Sequence, residues 1–402
     1  MTVANWAPAR VRQNFRIDLF SAICGGVYVA VLVAFMPVVV RRMGGSATEV
    51  ALVVASPFIG HLCSPIFAYA FAHLPLVRVV AGTVTLSRTV FLVGVLVATT
   101  PLMLAVTTVA SWIISIANVA AYTALMQGMY PDSERAQAMA SVRIGAAISG
   151  IVAAAVAGTL IDAVPAQWVF AAAALVALPG ALNFFRVQSD GTSTPHGRRP
   201  AREIARDVWA DQRYRHLLIA FTVFGWGNLM NVAIYPLMLV DHFDASNSFV
   251  GILAAVQLAT MIVAYLFVGR MIDRGSSLRQ TFLATLLVLL VPIGYLVAPA
   301  SWALLPVAAV AGITIASSEL TYHTNIVQVA PAGRTAEYAA AQSFLLGVRG
   351  TAAPFAASAL LGFVDTRAVL AVGLLFMVAG TAIMARTLRG EARREVALEV
   401  AS

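Results

Sequence analysis

The sequence predicts an all-α polytopic membrane protein, with twelve transmembrane helices in two pseudo-symmetric six-helix bundles, on three observations. Of its 402 residues 60% are apolar and only 11% are charged, whereas a soluble domain carries about 25% charged residues. Apolar stretches of about 20 residues, the length an α-helix needs to cross the hydrocarbon core, recur between polar breaks from end to end. The longest polar stretch divides the chain near its middle, and patterns found before it return after it.

The twelve segments occupy residues 19–40, 49–72, 79–98, 102–128, 137–161, 167–186, 216–240, 248–271, 280–297, 302–329, 337–364 and 367–386. The first follows Arg10, Arg12 and Arg16 as the core of a signal peptide would. Its apolar run is longer than such a core and more spans follow, so it reads as a retained helix. Cys24 and Cys63 each lie inside an apolar segment, which makes them packing residues and not a disulfide framework.

All 26 basic residues are arginine, and the formal net charge is +8. They fall in short tracts between segments, so the charge reads as topological and no nucleic-acid partner is expected. Counting from the amino terminus, Arg78, Arg135, the cluster from Arg186 to Arg215, Arg270, Arg274 and Arg279, Arg334 and the tail arginines share the side of the first three. The opposite loops hold Asp162, Asp241, Asp244 and Asp365, with Arg367 and the local exception of Arg41 and Arg42. The positive-inside rule then makes both termini and the central loop cytoplasmic, in a multi-pass protein of a bacterial inner (plasma) membrane.

The central stretch "RVQSDGTSTPHGRRPAREIARDVWADQRYR" starts with the composition of a flexible linker. It separates an amino-terminal bundle, residues 1–186, from a carboxy-terminal bundle with its tail, residues 216–402, and within the connecting loop 187–215 residues 200–214 form a candidate amphipathic helix on the inner surface, with a solvated connector as the blander alternative. The halves repeat. "CGGVYVAVLVAFMP" aligns with "FGWGNLMNVAIYP"; Asn118, Tyr122 and Gln127 meet Glu319, His323 and Gln328 at an offset of 201, and Glu134 and Asp162 meet Glu337 and Asp365 at 203.

Twelve segments in two halves, a long central loop and "GRMIDRGSSLR" between segments 8 and 9 together resemble the major facilitator superfamily. The loop keeps Gly269, Asp273, Arg274 and Arg279 of that family's signature, and the likeness covers essentially the whole chain. The first half departs from it: "AYAFAHLPLVR" has Ala72 where the signature has aspartate. "ALMQGMYP" keeps Gln127 and Gly128 without a preceding arginine, and "RIGAAISGIVAAAVAGTLID" lacks the Gly-Pro of the antiporter signature.

The resemblance implies a secondary transporter that works by alternating access, with segments 1, 4, 7 and 10 lining a central cavity. Those segments hold most of the polar residues inside spans: Tyr28; Asn118 and Tyr122; Trp226, Asn228, Asn231 and Tyr235; Glu319, Tyr322, His323 and Asn325. Polar groups in hydrocarbon require a cavity or a partner, so these residues, Asn325 apart, are expected to bind substrate; interhelical hydrogen bonding is the blander alternative. Glu319 and His323 stand four residues apart on one helix face, where a carboxylate and an imidazole can exchange a proton. They are the candidates for proton coupling, beside a structural hydrogen bond as the alternative. Arg135, Arg143 and Arg349 are candidates for gating at the cytoplasmic ends, with Asp273, Arg274 and Arg279, and Asp273 would latch onto the facing half. Arg88 reads as part of a buried structural pair. His61 and Cys63 on a proline-flanked segment read as packing, and no metal or cofactor is expected.

The expected activity is proton-coupled export of small amphipathic organic compounds by a monomer; uptake of a small metabolite is the alternative. A receptor that keeps the transporter fold, or an intramembrane enzyme using Glu319 and His323, are the rivals from other classes. Neither Gly-x-Ser-x-Gly nor His-Glu-x-x-His occurs to support the enzyme. The topology is open to direct test: a cysteine placed at any position in 190–200 should react with an impermeant maleimide from the cytoplasmic side alone, and labelling from outside intact cells would overturn the arginine argument.

Overall fold

In the computed structural model, the described residues are 8–71, 73–189, 201–273, 277–330 and 334–401, and they form helices joined by short turns. In chain order the α-helices are α1 (Ala9–Arg42), α2 (Ala47–Ala70), α3 (Leu76–Val97), α4 (Pro101–Ile116), α5 (Asn118–Met129), α6 (Asp132–Ala163), α7 (Ala166–Asn183), α8 (Ala201–Ala210), α9 (Gln212–Leu237), α10 (Asn247–Asp273), α11 (Ser277–Val288), α12 (Leu290–Val297), α13 (Leu304–Val329), α14 (Thr335–Leu360) and α15 (Thr366–Ala401).

Each apolar segment of the sequence coincides with one helix or a helix pair. The fourth is α4 with α5, and the ninth is α11 with α12. Among the described residues nine helices are long and apolar enough to cross a membrane, and α4 with α5 is a tenth candidate bent by 41°. The bend has a local cause. Asn118 Nδ2 donates to the Ser115 carbonyl and so competes with the helical ladder at that point. Outward-facing Val152, Val156, Leu266 and Leu375 are each at least half exposed, as lipid-facing positions of a membrane helix are.

The chain divides into two compact units, Met1–Gly197 with Leu239–Ala259, and Arg198–Met238 with Thr260–Ser402. In the first, α1 packs on α6 and α7, α2 on α4, and α3 on α4 and α7. Small residues permit the approach: a Cβ on Gly26 would lie 2.2 Å from the Ala146 carbonyl oxygen, and one on Gly180 2.8 Å from Cys24 Cβ. Ser149 Oγ adds a bond to the Ile23 carbonyl at 2.8 Å. The turn after α1 uses Gly44 at φ +86°, a left-handed conformation that glycine adopts without strain. A capping box then starts α2, Ser46 N donating to Glu49 Oε2 at 2.7 Å and Glu49 N to Ser46 Oγ at 3.3 Å.

The same unit accounts for the two arginines that break the charge pattern. Arg41 Nε contacts both carboxylate oxygens of Asp241 at 2.9 Å, and Arg42 Nη2 donates to the Ala245 carbonyl. Both serve contacts made some 200 residues away in sequence.

The second unit is built around α9, which packs on α15 and α14. A Cβ on Gly227 would lie 2.1 Å from the Gly373 carbonyl oxygen, and one on Gly380 2.4 Å from Phe224 N. The expected amphipathic helix forms as α8. On its apolar side Ile204 and Val208 pack into a cluster of its own unit with Tyr214, Leu217, Leu218, Leu278, Tyr338 and Met384. Polar ties reinforce that seat: Arg334 Nη2 lies 3.0 Å from Asp207 Oδ2, and the Tyr338 hydroxyl donates to Asp211 at 2.9 Å. Trp209 stays exposed on the other side.

Replacing Gly227 by leucine forces a side chain into the backbone of α15. Overpacking of this kind costs about 1–3 kcal/mol, so the variant should melt several degrees lower in detergent with reduced yield, whereas Gly82→Ala, where nothing lies within 4 Å of a Cβ, should melt as the parent does.

Candidate functional site

Each unit contains its own set of buried or half-buried polar groups. In the first, Tyr28 on α1 is 1% exposed. Its hydroxyl shares a 2.9 Å hydrogen bond with the Ser111 hydroxyl, and its ring meets Phe91 edge-on with centroids 5.1 Å apart. The Arg88 guanidinium lies over the same ring, 3.8 Å from its centroid, and donates to Ser87 Oγ at 3.2 Å. Ser87 in turn donates to the Ser111 carbonyl at 2.8 Å. Arg88 thus rests on an aromatic face and the Ser87 hydroxyl.

A second cluster in this unit centres on a residue outside the apolar segments of the sequence. Asp18 is 2% exposed and accepts from the Tyr122 hydroxyl at 3.0 and 3.2 Å and from the Tyr130 hydroxyl at 2.9 Å. The Tyr130 side chain belongs to an apolar cluster with Phe15, Met126 and Val142. Asp18 stands one position before the first apolar run, and in the sequence it is indistinguishable from a solvated flank of that span. Arg135 ties the end of α5 to the start of α6 by donating to the Gln127 and Tyr130 carbonyls at 3.2 and 3.3 Å, and Arg143 is exposed on α6.

In the second unit Glu319 on α13 is exposed, and the hydroxyl of Tyr265 on α10 donates to its Oε2. Tyr265 carries no signal in the sequence, being one aromatic among apolar neighbours. Further along α13, Asn325 is buried and donates to Thr281 Oγ1 on α11 at 2.6 Å. The α13 backbone places His323 on the Glu319 face, but the side chains of Tyr322 and His323 lie outside the described residues. On α9, Trp226 and Asn228 are half-buried. Asn231 is fully buried against Gly373, with Nδ2 3.4 Å from Met377 Sδ. Tyr235 stacks on Tyr295 at 4.3 Å.

The gating candidates divide. Arg349 Nη1 donates to the Phe221 carbonyl and its guanidinium crosses Gly225, so it grips α9 within its own unit. Arg279 is exposed on α11; Arg274 and the Asp273 side chain lie outside the described residues. Among the described residues no group of three His, Cys, Asp or Glu is placed to hold a metal ion.

The family model of the Major Facilitator Superfamily matches this chain twice, at residues 19–238 and 217–400. The chain belongs to the major facilitator superfamily. The two matches overlap at residues 217–238 and together span residues 19–400. Among solved structures, a point variant of the nucleoside transporter NupG superposes with a TM-score of 0.72 at 12% identity, covering 93% of this chain and 99% of its own. A bacterial homologue of the human lysosomal transporter Spinster, inward-facing and occupied, superposes at 0.67 and 13% identity, covering 94% and 96%. Comparison with curated proteins finds no match. At such identities the likeness establishes the superfamily fold alone.

The Asp18 cluster yields a measurable expectation. Tyr130→Phe keeps the ring but removes one of two phenol donors from a buried carboxyl group. Leaving a buried acceptor short of a partner costs about 1–3 kcal/mol, so this variant should lower the thermal midpoint in detergent, and Thr89→Ala, on the exposed side of α3, should leave it unchanged.

Proposed function

We propose that this superfamily member is a proton-coupled exporter of small amphipathic organic compounds, working by alternating access about a site near the bilayer midplane. The observation that carries the reading is Glu319, an exposed carboxylate within α13, near the end of the stretch Ser301–Thr321 that is apolar enough to cross a membrane, and held by a phenol from α10. An ionisable residue at such a position is functional by default, because hydrocarbon penalises it and packing can do without it. Glu319 attracts a cationic substrate or a proton, and His323, one turn along, takes part in the exchange. Trp226, Tyr322 and Tyr235 supply stacking surface in the second half, and Tyr122 with Asn118 contributes from the first. Asn228, half-buried on α9, orients the substrate, and the fully buried Asn231 supports it by holding α9 against α15. Tyr28 supports the site from behind by fixing Arg88.

Arg143 and Arg349, with Asp273, Arg274, Arg279 and Arg135, act at the cytoplasmic ends. Arg349 does so through its hold on α9, the helix that carries Trp226 and the asparagines.

The test is flux into proteoliposomes under an imposed pH gradient, across a panel of labelled amphipathic cations and metabolites. The parent should concentrate a member of the amphipathic set, and Glu319→Gln, which keeps size but cannot titrate, should abolish concentration while downhill exchange of a neutral substrate survives. His323→Ala should displace the pH profile of transport. Lowered yield of both variants with an unchanged pH profile would remove Glu319 from the mechanism and leave it a packing residue.

A further inference from the structure

We propose that Asp162, together with the Arg41–Asp241 pair, is a reversible latch that holds the start of α10 against the end of α6, so that this face of the transporter opens only when the latch breaks. The proposal rests on alternating access as the mode of action and assigns that cycle a specific lock. Asp162 lies in the last turn of α6, and its carboxylate gathers four donors from residues 85 and 86 positions later. Oδ1 accepts from Asn247 N at 3.1 Å and Asn247 Nδ2 at 2.8 Å; Oδ2 accepts from Ser248 N at 2.8 Å and Ser248 Oγ at 2.6 Å.

Two of these donors are backbone N–H groups of the first turn of α10. A helix cannot satisfy these internally, and they form the positive end of its dipole. The local cap is already spent, since Ser246 Oγ accepts from Phe249 N at 3.1 Å. The anionic partner of this helix start therefore comes from another helix, and α10 loses it whenever it moves away from α6.

The surrounding packing is built for contact. A Cβ on Gly158 would lie 2.5 Å from the Asn247 carbonyl oxygen, and one on Gly251 2.4 Å from that of Ala154, so two backbones touch with no side chain between them. Alongside, Arg41 pairs with Asp241, its Nη2 2.8 Å from Oδ2, and Arg42 holds the Ala245 carbonyl of the same turn. Arg41 and Arg42, on the side of the chain where acids prevail, thus have a task there.

The contacts also suit release. Asp162 is exposed and the Arg41–Asp241 side chains are 31% and 39% exposed, so water can replace each partner as it leaves. A buried carboxylate would have no such substitute. An exposed ion pair is worth little alone; here it adds to a carboxylate with four donors.

The test uses purified full-length protein in nanodiscs, where both faces are open to reagent. Cys24 and Cys63 are replaced by alanine, and Ala245→Cys, at a position 2% exposed, reports opening through its reaction rate with an impermeant maleimide. Asp162→Asn presents an amide N–H₂ to two of the four donors and should speed labelling about tenfold, the effect of a shift of about 1.4 kcal/mol in the closed-to-open equilibrium. Arg41→Asp should speed it as well, and Arg41→Asp with Asp241→Arg should restore the slow rate, which loss of fold would not do. Parental rates in both single variants, with parental melting, would overturn the latch. If Asp162→Asn does not accumulate, the charge exchange decides: failure of the double variant to recover the slow rate overturns it. Labelling needs no substrate, so absence of flux in liposomes counts against the transport reading and leaves the labelling rates to decide the latch separately.

Discussion

A helix surrounded by hydrocarbon has no hydrophobic reason to prefer another helix over lipid, so its contacts depend on how closely backbones can approach. In this protein α1 and α9 show that constraint in both units. α1 is met at Gly26 by the Ala146 carbonyl and bonded at Ile23 by Ser149, and α9 is met at Gly227 by the Gly373 carbonyl and crowded at Phe224 by Gly380. Each serves as the axis of its unit, and each carries polar residues: Asp18 and Tyr28 on one, Trp226, Asn228 and Asn231 on the other. Close packing and polarity coincide for a reason. A polar side chain in a membrane needs partners fixed in place, and the most tightly gripped helices have the best-fixed neighbours.

The charged groups show how varied such partners can be. Arg88 rests on the face of Tyr28 and on Ser87, an arrangement in which the ring quadrupole and one hydroxyl stand in for a carboxylate. Asp18 has the inverse solution, a carboxyl group between two phenols. Arg349 uses backbone, the Phe221 carbonyl exposed across the gap that Gly225 leaves. Carbonyls, phenols and aromatic faces outnumber charges in a helix bundle, so a sequence search for opposite charges looks in the wrong place for these partners.

That difference marks the boundary of what the sequence can show. Spans, repeat and family are legible because each is written many times over: apolar runs recur, the repeat keeps an offset near 201, and the family model matches twice. α8 is legible as amphipathic, but its apolar side faces a cluster containing Tyr338 and Met384, more than 120 residues later, and no periodicity reports which surface an apolar stripe meets. Arg41 and Arg42 stand out as an exception to the charge rule because their partners, Asp241 and the Ala245 carbonyl, are some 200 residues away. The bend between α4 and α5 is illegible for a different reason. One asparagine bonding to the carbonyl three residues earlier is enough to interrupt a ladder, and asparagines that do not do this look the same in sequence.

The duplication makes a final comparison possible. Asn118 and Glu319 stand at the same offset in the two halves, yet Asn118 turns its amide back onto Ser115 of α4, whereas Glu319 accepts from Tyr265 on α10. Their neighbours at the next turn differ in the same sense. Tyr122 is committed to Asp18 on α1, and its equivalent, His323, is a titratable residue on the Glu319 face. The first half has therefore drawn its acid and phenols into an internal structural cluster, with Asp18 2% exposed, and the second half keeps its acid exposed on a helix of the set expected to line the cavity. Two halves whose sequences repeat at a near-constant offset thus house their carboxylates at opposite extremes of exposure, the first enclosed by two phenols and the second open beside one.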